Sequence, residues 1–567
     1  MYVEEKIGDS YQQWQPGTRI KIMASTGSGK SHFILHTLLN YAVSRGCRIL
    51  YLVNRKILKE QLEAELKDRI AHKLYKSYGV GVDWHNFIWV RTYQEIEMEI
   101  KAGNNQAAIF SPNYIVYDEC HYFYADSDFN TNTILSYNFL GQNSNAVHIF
   151  MSATMENMLH WIESNGITDW SGIEVRMPEP IRNMNKIELP VDYSYIQLHC
   201  IDNEDDIPAV IEEKAELGEK WLIFIDSIEK GKKVYKELCN HAICQKNDIV
   251  FIDASYERDE EARESVGELE ATRSINKKII IATSVMDNGI SFEDQELRNL
   301  LIRADSKEEF IQMLGRKRQD GKEVNVYICR RSKEYFERRK QYIDRTNRYF
   351  EHYKNQIAQM NQYTYQAAMQ TGNYTGAYVF MQQKILDDIF SRDVIYKHVK
   401  KFCYFFNGMI AINPFSIDKM MNSKAFYQSM IDAMNLDPDA FVKQQAKWLE
   451  ISGEKVERVI LDSAEKKLDR VKEQLSKYLD NLMEDKENIE LTIELNTQKL
   501  KKDNRDAFLY LLERANEDGE RENEIKNLKK TDRPIQPDDF NTCMRVAGLS
   551  YNMRKEGKKF IIAKKER

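Results

Sequence analysis

The chain has 567 residues, of which 42% are hydrophobic and 30% charged, and its formal net charge is -7 at pH 7. This length predicts about three or four domains. The acidic balance excludes a basic coat for nucleic acid over the whole surface, so a nucleic-acid site would have to be local. The 8 cysteines lack metal-ligand spacing, and neither a signal-peptide pattern nor a membrane-spanning apolar run is recognised. We therefore expect a cytoplasmic protein with reduced thiols.

Short apolar runs alternate with helical patterns from Arg19 to Ile328. This alternation is typical of parallel sheets with crossover helices, and it predicts an α/β fold with two lobes. Strands of the first lobe are predicted at Ile20–Met23, Ile49–Val53, Phe87–Val90, Tyr114–Tyr117 and Ile149–Met151. Strands of the second lobe are predicted at Tyr195–His199, Leu222–Ile225, Ile249–Ile252, Ile279–Ala282, Leu300–Ile302 and Val324–Ile328. The proline-bearing stretch Met177–Asn185 is predicted to be the joint between the lobes.

Helical patterns dominate beyond Phe336. The aromatic residues from Tyr349 to Phe406 suit a helical core or a platform on which unpaired bases stack. Heptad spacing then fits an amphipathic helix packed on its own domain and an intermolecular coiled coil equally well. The heptad residues are Leu461, Ala464, Leu468, Val471, Leu475, Tyr478 and Leu482. From Phe540, a short helix, a glycine turn and a basic strand are predicted, either as a solvated end or as a small winged-helix-like nucleic-acid module.

These patterns divide the chain into five predicted units. Residues 1–180 and 181–340 form the two α/β lobes, and 341–452 form an aromatic-rich helical domain. Residues 453–539 form a charged, coiled-coil-like region, and 540–567 form a small basic module.

The segment Ala24–Ser31, ASTGSGKS, follows the first predicted strand and opens a helical pattern. Glycines allow backbone N–H groups to turn around phosphates, the helix presents its positive end, and the lysine neutralises charge. The serine hydroxyl after the lysine is suited to bind Mg²⁺. The sequence thus predicts an ATP-phosphate site formed by Ser25, Thr26, Gly27, Ser28, Gly29, Lys30 and Ser31.

Two carboxylates follow the predicted strand at Tyr114–Tyr117, in the sequence DECH. Asp118 is suited to hold Mg²⁺, together with Ser31, and Glu119 to polarise the water that attacks the γ-phosphate. The alternative is an acidic helix cap, which is common at strand-to-helix turns. The phosphate loop in the same lobe favours the catalytic interpretation.

The two stretches ASTGSGKS and DECH resemble motifs I and II of the superfamily 2 helicases, the DEAD/DEAH-box-like ATPases. Six further stretches occur in the order of that family and resemble its motifs Ia, Ib, III, IV, V and VI. They are Val53–Arg55, Arg91–Gln94, Met151–Thr154, Ile223–Ser227, Ile281–Gly289 and Gln312–Arg318.

The resemblance implies two RecA-like lobes with ATP in the cleft between them, followed by a mainly α-helical C-terminal region. It implies that Arg316 is the arginine finger, with Gln312 beside it, and that Asp287 and Gly289 contact ATP. It further implies that His121, Ser152 and Thr154 couple hydrolysis to the strand-binding face. Nucleic acid would be contacted there by Arg55, Thr92 and Thr283, through the sugar-phosphate backbone.

Motif VI departs from the family pattern. The family's second arginine is replaced by Gln319, and Arg318 stands one residue earlier. Arg318 is therefore a catalytic candidate whose role is less directly implied than that of Arg316.

The expected function is an ATP-dependent nucleic-acid helicase or translocase that requires ATP and Mg²⁺. The DECH and TYQ sequences favour DNA over RNA by analogy with family branches. Two alternatives stay open: a duplex DNA translocase of a restriction or defence assembly, and an ATP-gated nucleic-acid clamp or assembly factor. In each, the helical C-terminal region could bind a protein partner or a second copy of the chain.

Overall fold

The computed structural model describes residues 2–67, 83–103, 110–163, 166–168, 174–176, 186–215, 219–240, 248–283, 286, 291–371, 402–406, 409–459, 464–483, 488–492, 500–501, 504–515, 525, 528, 535–557 and 559–564. Several residues singled out from the sequence lie outside these ranges, namely Asp287, Gly289, Leu461 and the joint at 177–185.

The first lobe contains a six-stranded parallel sheet. From edge to edge its strands are Ile88–Thr92, Ile49–Val53, Tyr114–Asp118, Val147–Ser152, Arg19–Met23 and Lys186–Glu188. The strand Lys186–Glu188 pairs with Arg19–Met23, so the first sheet extends beyond the predicted boundary at residue 180. The other five strands lie where the sequence predicts them.

The second lobe contains a seven-stranded parallel sheet. Its strands, in spatial order, are Ile249–Ile252, Ile279–Ala282, Lys220–Phe224, Leu297–Ile302, Val324–Cys329, Ile196–Ile201 and Glu457–Arg458. The last of these comes from far along the chain, which local patterns do not reveal. The predicted pair of parallel-sheet lobes is confirmed.

Helices cover both faces of the two sheets, as parallel sheets require. In the first lobe they include Lys30–His32, which continues as a π-helical stretch Phe33–Leu38 and Leu39–Arg45, and then Lys56–Glu65, Tyr93–Lys101, Tyr122–Ala125, Thr133–Gly141 and Leu159–Glu163. The second lobe has Ile207–Ala215, Ile228–Asn240, Glu260–Thr272 and Lys307–Leu314. A short helix, Val3–Ile7, precedes the first sheet.

The region after the second lobe is mainly helical, with helices at Lys333–Thr371, Pro414–Met434 and Ala440–Trp448. The prediction of helices up to Phe406 is wrong at its end, because Cys403–Phe406 pairs with Met409–Ile412 in a hairpin. Tyr404 of this hairpin is buried in the core of the first lobe, where its ring serves packing.

The helix Pro414–Met434 joins the two lobes. At its start, Phe415 is buried in the core of the first lobe, and Asn413 donates through Nδ2 to the Thr131 carbonyl oxygen at 3.0 Å and the Thr133 hydroxyl at 2.8 Å. At its end, Met430 is buried in the core of the second lobe. The helix therefore packs against both lobes and crosses the boundary between them.

The C-terminal module has its own hydrophobic core. It consists of helices Ala464–Met483, Arg505–Arg514 and Pro537–Ala547 and a three-stranded antiparallel sheet in the order Asn488–Thr492, Lys559–Lys564, Tyr551–Glu556. Of the heptad residues, Leu475 is buried in this core, and Leu468, Val471, Tyr478 and Leu482 are partly buried against it. The heptad stripe thus belongs to an amphipathic helix packed on its own domain, which is the first of the two arrangements that its spacing fits.

Candidate active site

The phosphate loop lies between the strand Arg19–Met23 and the helix that begins at Lys30. Gly27 and Gly29 have φ angles of 82° and 87°, in the left-handed region where a side chain would be strained. Lys30 is buried, and its Nζ donates to the carbonyl oxygens of Ala24 at 2.8 Å and Ser25 at 3.0 Å. Phosphate oxygens could replace these carbonyl oxygens, since the ammonium group prefers an anionic acceptor.

The strand register brings the acidic motif beside the phosphate loop. Asp118 pairs with Met151, and Ser152 pairs with Met23, the last strand residue before the loop. Because parallel strands end at one edge of a sheet, Asp118, Ser152 and the loop meet there. Glu119 follows with a φ of 49°, which non-glycine residues rarely adopt and which is typical of functional turns.

A buried tyrosine holds the side chain of Asp118. The Tyr51 hydroxyl donates to Asp118 Oδ2 at 2.8 Å, and the backbone N–H of Glu119 donates to Oδ1 at 3.1 Å. The same phenol interacts with the side chain of Ser31. A carboxylate and a hydroxyl thus converge on one point, and such oxygen ligands suit Mg²⁺. These residues therefore fit the predicted metal site.

Charges in this cluster shift the pKa values of the two carboxyl groups in opposite directions. Burial and the charge of Glu119 raise the pKa of Asp118. Burial would also raise the pKa of Glu119, but the hydrogen bond to His121 and the charges of Lys30, His121 and Arg316 outweigh it and lower the pKa. Glu119 is thus held ionised, as a group that orients water must be.

A hydrogen-bonded chain connects Glu119 to the second lobe. His121 Nδ1 lies 3.3 Å from Glu119 Oε2 and 2.9 Å from Ser152 Oγ. Ser152 Oγ accepts from the backbone N–H of Thr154 at 3.0 Å. The Thr154 hydroxyl in turn accepts from Gln312 Nε2, in the second lobe, at 3.3 Å. The predicted coupling residues are therefore in contact with one another.

Residues from both lobes line one cavity of about 700 Å³. The second lobe contributes Arg316, which is buried and whose Nε donates to the Gln312 carbonyl oxygen at 3.1 Å. It also contributes Arg318, whose Nε lies 3.8 Å from Glu293 Oε1. The first lobe contributes Thr26, Gly27, Gly29, Lys30, Ser31, Asp118 and Glu119. Five of the six predicted catalytic residues thus face a shared space, and the sixth, Gln312, contacts Thr154 beside it.

Sequence reasoning missed several residues of this cavity. Tyr2, which directly precedes the first helix, Glu5 of that helix and Arg273 of the second lobe also line it. They lie outside every motif, and no local pattern marks them. Tyr51 lies within a predicted strand, but only the pairing of that strand with Tyr114–Asp118 brings its hydroxyl to the carboxylate.

The predicted nucleic-acid residues follow strand ends, outside the cavity lining. Arg55 precedes the helix Lys56–Glu65, and Thr92 caps the helix Tyr93–Lys101 by accepting from the backbone N–H of Glu95 at 3.1 Å. Val53 pairs with Thr92, so Arg55 and Thr92 share one edge of the first sheet. Thr283 follows the strand Ile279–Ala282 of the second lobe.

Comparison with protein families finds a match in the first lobe. Residues 3–157 match the model of the family described as type III restriction enzyme, res subunit. This match covers the lobe that carries the phosphate loop and the acidic motif, and it confirms the resemblance to superfamily 2 helicases. No curated protein matches the chain.

Solved structures similar to the chain include three helicases. S. cerevisiae Dbp5 bound to RNA and ADP BeF3 has 14% identity and a TM-score of 0.38, over 58% of this chain and 86% of Dbp5. Mycobacterium smegmatis Lhr bound to ssDNA and AMP-PNP has 16% identity and a TM-score of 0.40, over 58% and 47%. The DUF1998 helicase MrfA bound to DNA and AMPPNP has 13% identity and a TM-score of 0.42, over 60% and 50%.

Among the residues that the structure describes, no helix is both long and apolar enough to cross a membrane.

Proposed function

We propose that the chain is an ATP-dependent nucleic-acid helicase or translocase. The observation that carries this proposal is the shared cavity, in which Lys30, Asp118 and Glu119 of one lobe face Arg316 of the other. ATP bound there would draw the lobes together, and its hydrolysis would let them part.

In the proposed reaction, the oxygen of a water molecule forms a bond to the γ-phosphorus, and the bond to the leaving ADP oxygen breaks. Glu119 orients the water and accepts its proton, while Lys30 and Arg316 stabilise the charge of the transferring group. Mg²⁺, held by Ser31 and Asp118, would neutralise phosphate charge when bound. The chain of contacts through His121, Ser152 and Thr154 would report the state of the nucleotide to the second lobe.

We propose DNA as the substrate, in preference to RNA. The support is the DECH and TYQ sequences, by analogy with the DNA-acting and DEAH-like branches of the superfamily. Arg55, Thr92 and Thr283 are proposed to contact the strand, because all three lie at the ends of strands, where RecA-like lobes present loops.

A second candidate is a duplex DNA translocase that does not separate strands. The match of residues 3–157 to the restriction-enzyme family favours it. In that case a partner protein would supply any DNA cleavage. The third candidate, an ATP-gated clamp with a heptad docking helix, is less favoured because the heptad stripe packs against the core of its own module.

Steady-state ATPase assays with no nucleic acid, single-stranded DNA, duplex DNA, single-stranded RNA and duplex RNA test the proposal. The Glu119→Gln variant serves as the blank. We expect the strongest stimulation by DNA. Displacement of a strand from a forked duplex would then indicate a helicase, whereas displacement of a third strand from a triplex without strand separation would indicate a translocase. An ATPase rate indifferent to all five conditions would contradict both.

A further inference from the structure

The helix Lys307–Leu314 of the second lobe faces the segment Thr154–Asn157 of the first. Lys307 Nζ lies 2.8 Å from Glu156 Oε1, and Glu308 Oε2 accepts from Asn157 Nδ2 at 3.0 Å. Glu308 and Gln312 are four residues apart on this helix, so both side chains point to the same side. Glu308 therefore lies on the face that carries the contact to Thr154.

Two buried atoms at this boundary have no hydrogen-bond partner among the described residues. They are Nε2 of His121 and Oε1 of Glu308. The other ring nitrogen of His121 is bonded on the Glu119 side, and the other carboxylate oxygen of Glu308 is bonded to Asn157. Unpaired buried polar atoms are rare and call for an explanation. Nδ1 of His121 faces the carboxylate of Glu119, so Nε2 carries a proton to donate when the ring is protonated, and Glu308 Oε1 is an acceptor.

The charges of these two groups also act on each other. Burial lowers the pKa of His121, but the hydrogen bond and charge of Glu119, followed by the charge of Glu308, outweigh it and raise the pKa. Burial raises the pKa of Glu308, and the charge of His121 is the largest opposing influence. The two groups are therefore close enough across the boundary to interact electrostatically.

We propose that Glu308 is a positioning residue for His121. When the lobes close on nucleotide, the Nε2–H of the protonated His121 ring donates to Glu308 Oε1. The imidazolium then joins Glu119 in the first lobe to the helix that leads to Gln312 and Arg316. Closure of the lobes and orientation of Glu119 become one event, so the site hydrolyses ATP efficiently only when closed. The inference rests on the proposed function in taking the cavity as a nucleotide site on which the lobes close and Glu119 as its catalytic carboxylate.

A double-mutant cycle in the full-length chain tests this contact. The variants are Glu308→Ala, His121→Ala and the double variant, with Glu308→Gln as the conservative replacement that keeps an acceptor. The affinity for AMPPNP is measured with Mg²⁺ and a single-stranded DNA oligonucleotide, and kcat and KM for ATP are measured alongside. Asn157→Ala removes the other partner of Glu308, and Glu309→Ala changes an exposed carboxylate on the same helix. His121→Asn replaces His121→Ala if the latter does not fold.

We expect Glu308→Ala to weaken AMPPNP binding at least about fivefold, but less than about twofold when His121 is already replaced. Glu308→Gln should recover most of the affinity, and Glu309→Ala should be silent. The inference would be overturned if Glu308→Ala lowered the AMPPNP affinity equally in the presence of His121 and in its absence, and Asn157→Ala lowered it by the same amount. Glu308 would then be a merely structural residue. A wild-type chain that shows this coupling in AMPPNP binding but never hydrolyses ATP would contradict the proposed function and leave the contact standing.

Discussion

The two lobes end their parallel sheets in opposite ways. In the first lobe, the carboxyl edge presents Asp118 and Glu119 to the cavity. In the second lobe, the same edge is closed by ion pairs. Arg331 pairs with Glu204, Asp226 at 3.4 Å and Asp305 at 3.5 Å.

Arg303, which is buried like Arg331, pairs with Glu204 and Asp226 and completes this network. The four strands that carry these charges neighbour one another in the second sheet. The difference is that the first cluster leaves its carboxylates facing the cavity, whereas the second pairs its charges with one another. Substitutions in the first cluster should therefore abolish turnover and spare the fold, whereas substitutions in the second should weaken the fold and spare turnover.

The largest effect is expected at Glu119. Glu119→Gln removes the group that orients water, and the ATPase rate should fall by about 10²- to 10⁴-fold. Lys30→Ala, which removes a phosphate ligand, should be comparably inactive. Circular dichroism melting should show unchanged folding for both variants. Stable folding with wild-type ATPase in either variant would contradict the site assignment.

Arg331→Ala should give the converse result. Removing Arg331 leaves the buried Asp305 and the partly buried Glu204 and Asp226 with fewer partners, which costs about 3 kcal/mol of unfolding free energy. Denaturant unfolding measures this loss, and ATPase at a permissive temperature should remain near wild type. The matched control is Arg330→Ala, whose partially exposed guanidinium lies 3.0 Å from Asp439 and should contribute no more than about 1 kcal/mol. Equal losses of unfolding free energy in Arg331→Ala and Arg330→Ala would contradict the structural role of the ion pairs at the edge of the second sheet.

A buried histidine makes the stability of the first lobe depend on pH. His148 Nε2 lies 2.9 Å from the Asn143 carbonyl oxygen, and Nδ1 lies 2.9 Å from the Tyr117 hydroxyl, which suits a neutral ring that donates through Nε2. Burial is the main cause that lowers the pKa of His148 to about 4. The unfolded chain takes up this proton near pH 6.5 and the folded chain does not, so stability should fall as the pH falls from about 6.5 to 4.

The expected loss is about 3 kcal/mol, from the difference between the two pKa values. Denaturant unfolding at a series of pH values measures it. His148→Gln should flatten the profile over this window, whereas replacement of the exposed His85 by Gln should not. An unchanged slope in His148→Gln would rule out this histidine as the source.

Tyr51→Phe should give the smallest of these effects. It removes only the hydroxyl that holds Asp118, and loss of such a supporting contact typically changes metal affinity about 10- to 100-fold. We expect the Mg²⁺ concentration for half-maximal ATPase to rise by about tenfold. Tyr93→Phe is the control, because the Tyr93 hydroxyl donates to the Asp118 backbone carbonyl oxygen at 2.8 Å and not to the carboxylate. Identical Mg²⁺ profiles for Tyr51→Phe and the wild type would exclude the positioning role.

Local sequence patterns predict much of the first lobe and of its site. The phosphate loop and the DECH turn are each a continuous stretch of sequence, so the role of each residue can be inferred from its neighbours. The partners of these motifs come from elsewhere in the chain. Tyr51 meets Asp118 through strand pairing, and Glu308 meets Asn157 through the contact between lobes. Such contacts depend on topology, which short-range periodicity does not specify.

The region beyond residue 340 was harder to predict for the same reason. An aromatic-rich pattern gives hydrophobic spacing but not the identity of the surface that it covers. Tyr404 and Phe415 pack into the first lobe although they follow the second in sequence. The heptad stripe likewise could not reveal whether its partner was another chain or the same module.

The proposed function depends most on one composite ATP site that takes its phosphate loop from the first lobe and its arginine from the second. The direct measurement is single-turnover ATP hydrolysis by Arg316→Ala and Arg316→Lys, with AMPPNP affinity measured beside it. We predict that hydrolysis falls about 10³-fold or more in both variants, because neither retains the planar guanidinium, while nucleotide still binds. Hydrolysis at the wild-type rate in Arg316→Ala would contradict a site shared between the lobes.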